Sequence, residues 1–120
     1  MCNSFGNIVL GFFTDYLVDT KGLTTNSVCS YSDCMRLLFA FTANKLNKKV
    51  ENLEMENLTD EIIIDFLNYL EKERNNLPQS RNQRLAIIKT FFSFIAGKCP
   101  ELIHVAERIS KIAFKKAAKK

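Results

Sequence analysis

Ser80-Arg-Asn-Gln-Arg-Leu-Ala-Ile-Ile-Lys-Thr-Phe-Phe-Ser-Phe94 is the stretch on which the reading of this chain turns. Leu85, Ile88, Phe92 and Ile95 recur at intervals of three and four residues, the period of one helix face, and Phe91 widens that face. Asn82, Ala86, Lys89 and Ser93 fall on the opposite side. Pro78 or Ser80 opens the helix, which runs to about Ala96, with Gly97 as a natural stop. From residue 74 to residue 100 there is no Asp or Glu. An ordinary surface helix mixes both signs of charge. This one sets an apolar face against a neutral or basic one, which suits close approach to a polyanion.

Working outward, the same periodicity predicts four more helices. Ile8, Phe12 and Tyr16, with Val9, Phe13 and Leu17, mark a helix over 8–19 that ends at Thr20-Lys21-Gly22. Thr24 is placed to cap a second helix reaching about Ala43, with Val28, Tyr31, Met35, Leu38, Phe39 and Thr42 inward and Cys29, Asp33, Arg36 and Ala40 outward. A polar connection over 44–58 follows. Thr59 then caps a third helix whose first turn holds Asp60 and Glu61, favourable at the positive dipole end, and whose inner stripe is Ile63, Phe66, Leu67 and Leu70. Arg74-Asn75-Asn76 closes it. After the fourth helix, Pro100 starts a short fifth through about Ile109.

Composition agrees with an all-α domain. The chain has 120 residues, 47% of them hydrophobic, ten Phe, four Gly and two Pro. That is enough apolar material for one core and too few turn residues for many short strands. The net charge of +4 is unevenly spread. Residues 1–50 carry five basic and three acidic side chains, 51–79 two and eight, and 80–120 ten and two. Even without Lys115, Lys116, Lys119 and Lys120 the last segment stays basic, so the polarity is not an effect of the tail. The cysteines (Cys2, Cys29, Cys34, Cys99) form no CxxC pair and His104 is remote from them, which argues against a metal site. Cys34 falls on a core-facing position, and Cys99 and His104 read as structural or incidental. Residues 1–13 lack a basic leader and a cleavage site, and no apolar run approaches the length of a membrane span, so the expected compartment is the cytoplasm.

The chemistry-bearing residues cluster at two helix starts. Such starts present free backbone N–H groups and a partial positive charge, a ready phosphate site. Thr25, Asn26 and Ser27 open one helix; Ser80, Asn82 and Gln83 open the other. Their side chains can donate to phosphate oxygens or base edges, and Arg81, Arg84 and Lys89 add charge-assisted contacts. Lys45, Lys48 and Lys49 reach out from the connection, Arg36 from the polar face of the second helix, and Lys115 and Lys116 from the terminal run. Arg81, Asn82 and Lys89 are expected on the outer face. By its phase Arg84 leans to the apolar side, where packing, or an ion pair with the acidic third helix, stands beside a DNA contact. Thr24 and Ser80 serve equally as plain caps.

Three segments carry a family resemblance. Gly22-Leu-Thr-Thr-Asn-Ser-Val-Cys-Ser-Tyr31 with Leu37-Leu38-Phe39, then Leu58-Thr-Asp-Glu-Ile-Ile-Ile-Asp-Phe-Leu-Asn-Tyr-Leu70, then Ser80 through Phe92, keep the order and spacing seen in the N-terminal core-binding domain of tyrosine recombinases, the phage-integrase family. The resemblance implies a SAM-like bundle of four main helices in two crossed hairpins, with the fifth helix appended. It implies a core-binding domain over 1–110 and a basic linker over 111–120 leading toward a C-terminal catalytic domain that this sequence does not include. In such a protein this domain clamps one half-site of the recombination core on double-stranded DNA. The parent assembles as a tetramer of recombinase protomers, and the nucleophilic Tyr lies in the other domain. No cofactor, metal, membrane or small-molecule substrate is expected, nor any catalysis by this stretch; Tyr16, Tyr31 and Tyr69 all sit within helical patterns. The rival reading is a helical protein-interaction domain that pairs acidic and basic faces with a partner.

Overall fold

The computed structural model describes residues 5–73 and 78–115. Five helices, α1 to α5, account for most of them, and no strand occurs among the described residues. Helix α1 is regular over Phe5–Gly11 and continues with wider, π-type turns over Phe12–Thr20. There the Lys21 N–H returns to the Tyr16 carbonyl, five residues back, at 2.8 Å. Gly22, at φ 64°, lets the chain leave in the left-handed conformation.

Helix α2 spans Thr25–Leu46, and the Thr24 hydroxyl accepts the Ser27 N–H at 3.2 Å, the expected cap. It runs three residues beyond the expected end at Ala43. Asn47 supplies the stop instead, in the left-handed region at φ 59°, with the Lys48 N–H closing on the Ala43 carbonyl at 2.9 Å. Two single 3₁₀ turns, Val50–Asn52 and Met55–Asn57, carry the connection. Helix α3, Asp60–Glu73, is capped by the Thr59 hydroxyl, which accepts the Ile62 N–H at 3.2 Å. The closing turn assigned to Arg74-Asn75-Asn76 lies outside the described residues. Helix α4 spans Pro78–Lys98 and passes through Gly97 rather than ending there. Its stop is Cys99, which leaves helical geometry at φ −129° and ψ 85° ahead of Pro100, a residue that disfavours helical backbone in the one before it. A 3₁₀ turn at Pro100–Leu102 leads into α5, Ile103–Ser110.

Helices α2, α3 and α4 pack on one another around a core that includes Met35, Leu38, Ile63, Phe66, Leu70, Leu85, Ile88, Phe91, Phe92 and Ile95, each at most 1% exposed. The aromatic rings lock the α1 layer onto it: Phe12 meets Phe91 edge-on at 5.0 Å and lies 5.4 Å from Phe94. Each fully buried ring or branched side chain contributes about 1.5–3 kcal/mol relative to exposure. This aromatic content therefore makes α4 the axis of the fold, since it is the helix that α1, α2, α3 and α5 all touch. Cys29 and Cys34 are free thiols, and Cys99 is buried and disulfide-bonded.

Candidate nucleic-acid interface

The first halves of α2 and α4 meet at a shallow open cleft. Ser30 and Asp33 of α2 line one side; Ser80, Gln83, Arg84 and Ile87 of α4 line the other. Neither helix has an acidic residue in its first turn, so both positive dipole ends are unneutralised from within. Thr25 and Asn26 are exposed one turn before Ser30, and Ser27 is half-buried. The cleft is tied together from below, where the Cys34 thiol donates to the Arg84 carbonyl at 3.7 Å. Burial pushes that thiol up to about 11, against a smaller opposite pull from the charge and hydrogen bond of Arg84. At neutral pH it is a protonated, unreactive tie between two helices. Asp33 is the one acid among the described residues of the lining, and Arg36 partly offsets it at 3.4 Å.

The second face of α4 is occupied by the chain itself. Arg81, expected outside, is 7% exposed. That placement is corrected, and the reason is geometric: Arg81 lies four residues before Leu85 and seven before Ile88, on the same inward stripe. Its Nε stands 3.8 Å from Glu71 of α3 without a hydrogen bond among the described residues, and a terminal nitrogen donates to Asn82 Oδ1 at 3.3 Å and the Ala113 carbonyl at 3.4 Å. The Asn82 amide makes a two-point bridge, donating to the Lys115 carbonyl at 2.6 Å while Oδ1 accepts the Lys115 N–H at 2.9 Å. The Lys115 ammonium donates to both Glu71 oxygens, at 2.8 and 3.0 Å. Lys89 donates to the Ser110 carbonyl at 3.0 Å and lies 4.3 Å above the Phe114 ring. Its burial there lowers its pKa from the usual lysine value.

Residues 8–94 match the model of the phage integrase SAM-like domain. The chain belongs to that family. Two curated proteins of Sinorhizobium fredii (strain NBRC 101917 / NGR234) are similar to it. "Putative integrase/recombinase y4rD" is 38% identical over 106 residues, 88% of this chain and 38% of that protein. "Putative integrase/recombinase y4rC" is 29% identical over 113 residues, 94% of this chain and 34% of that protein. The chain thus spans little more than a third of the length of these relatives. No solved structure matches it.

Within this integrase SAM-like domain, the remaining candidate residues are dispersed. Lys45 pairs with Asp65 at 3.5 Å and lies beside the Phe41 ring, while Lys48 donates to Asn57 Oδ1 at 3.3 Å. Lys49 is exposed in the same connection, and Arg36 is exposed on α2. Lys116 lies outside the described residues. An ion pair between α4 and α3 is made by Arg81, through Glu71. Glu71 is the residue that sequence reasoning missed. Its signal was faint, an acid near the end of a helix already rich in acids. No described helix is long and apolar enough to cross a membrane, and no cluster of three or more metal-ligating side chains occurs among the described residues.

Proposed function

We propose that this domain binds double-stranded DNA as the core-binding part of a site-specific tyrosine recombinase or integrase, clamping one half-site. The breaking and rejoining chemistry then belongs to the rest of the parent protein, which works as a tetramer of protomers in the cytoplasm. The observation that carries the reading is the cleft where α2 and α4 bring Ser30, Ser80, Gln83 and Arg84 together beside two unneutralised helix starts. Hydroxyl and amide donors, a guanidinium and two dipole ends suit phosphate oxygens in the groove walls of a duplex. Thr25, Asn26 and Ser27 extend this surface along α2, and Arg36, Lys45, Lys48 and Lys49 supply more peripheral charge. Lys115 adds charge near the start of α4, and Lys116 follows it in the sequence.

The test is duplex binding across a salt series. Contact with roughly five phosphates gives a slope of log K against log salt of about −4.5. A flat slope, or no binding at low salt, overturns the reading. One observation favours the interaction-domain alternative: Phe5, Val9, Phe39, Val50, Leu53 and Met55 line an open groove rimmed by Glu51, Glu54 and Glu56. An apolar floor with an acidic rim suits a basic amphipathic segment of a protein, and in a salt series its complex would form without DNA.

A further inference from the structure

After α5 the chain turns back along α4, opposite to its direction. The Ser110 carbonyl meets Lys89, the Ala113 carbonyl meets Arg81, and both backbone groups of Lys115 meet Asn82. Each of these contacts joins an α4 side chain to main-chain atoms of the segment, so α4 fixes the path of the segment whatever its side chains are. Two contacts do use side chains. Phe114 lies against the Lys89 ammonium, and Lys115 reaches Glu71, which also faces Arg81. Glu71 is therefore the anion that holds α3, α4 and the segment together.

We propose that Glu71, Arg81, Asn82 and Lys89 form a docking site for residues 110–115 of the chain itself, and that duplex DNA competes with this segment for the same face of α4. The proposal rests on the DNA-binding reading above. The donors that would meet a phosphate are already committed: the Asn82 N–H to Lys115, the Arg81 guanidinium to Ala113, and the Lys89 ammonium to Ser110. A phosphate drawn to Arg81 or Lys115 would also come against the Glu71 carboxylate, a like charge. Residues 110–115 are not among the described residues that line the cleft face of α4. DNA then meets the domain in two stages, first at the cleft, then along the outer face once the strap formed by residues 110–115 has lifted from α4.

The test is amide hydrogen exchange on the whole chain, with the Lys115 N–H as reporter and Ile88 and Phe91 as core controls. Without DNA, Asn82→Ala speeds Lys115 exchange about tenfold while the core amides stay protected; an unchanged Lys115 rate overturns the docking. Should that variant lose core protection as well, Glu71→Gln serves in its place, with the same expectation for Lys115. On adding duplex DNA at low salt, Lys115 exchange rises in the unaltered chain. DNA binding with Lys115 equally or better protected overturns the competition and leaves the DNA reading standing. Failure to bind DNA at all overturns that reading, and the competition with it, while the first arm still judges the docking. Finally, Glu71→Gln tightens DNA binding more than Glu73→Gln, which makes the same charge change on the exposed end of α3. Equal gains would mean that charge alone is at work and would sink the competition.

Discussion

Helix α4 has two polar faces drawn from the same acid-free stretch, and they have opposite fates. One face, with Ser80, Gln83 and Arg84, borders the cleft shared with α2. The other, with Arg81, Asn82 and Lys89, is held under the returning segment. Absence of acids in a sequence shows that a surface would tolerate a polyanion. It does not show whether the surface is vacant. Here the covering chain brings main-chain carbonyls, which satisfy cations without any complementary charge pattern in the sequence, and Glu71 arrives from a neighbouring helix.

The contrast can be broken by substitution. The largest expected effect is on the stripe both faces share. Phe92→Ala should lower unfolding free energy by about 3–5 kcal/mol, measured by denaturant titration, because the ring is 1% exposed in the core. Next is Arg81→Ala, which leaves Glu71 short of one partner and removes a buried stem. A loss of about 1–3 kcal/mol is expected, with partial recovery in Arg81→Met. A melting temperature unmoved by Arg81→Ala would return that residue to the outer surface and erase the distinction between the faces.

A comparable effect belongs to the tie beneath the cleft. The Cys34 thiol titrates at about 11 in the folded chain against 9.0 as its ordinary value. The unfolded chain therefore binds fewer protons between those values, and stability must fall as pH rises through that window. The expected loss is about 2 kcal/mol by pH 11. It should disappear from the pH profile of Cys34→Ala, whatever that variant's starting stability. Smallest in stability is Gln83→Glu, expected within about 0.5 kcal/mol of the unaltered chain because the side chain is exposed. Its effect should show instead as weaker duplex binding at low salt. Intact binding would remove the cleft from the interface.

Much of the fold was legible. Thr24 and Thr59 cap where their hydroxyls precede an apolar period, and the inner stripes of α2, α3 and α4 follow the three-and-four spacing. These are local rules, decided within one or two turns. Arg81 was legible too, since it continues the run Leu85, Ile88, Phe92; its charge argued it outward where its phase placed it inward. The strap was not legible. Asn82 and Lys115 are 33 residues apart, and a side-chain amide bonded to a backbone peptide leaves no periodic trace. The end of α2 was lost for a different reason. An Asn in the left-handed conformation stops a helix as Gly does, yet Asn44 and Asn47 both stand where a stop could fall, and only Asn47 takes that conformation.

The wide turns of α1 carry a consequence for chain length. Phe12 and Leu17 are both fully enclosed although five residues separate them, a spacing that ordinary winding would send to different sides. The extra residue per turn absorbs that mismatch. Excising exposed Thr14 would leave the pair four apart, the natural repeat of tighter coiling, so the stretch could rewind and still present both groups to the same neighbours. The same loss from α4, whose buried positions already follow the regular repeat, would throw every side chain beyond the gap out of phase.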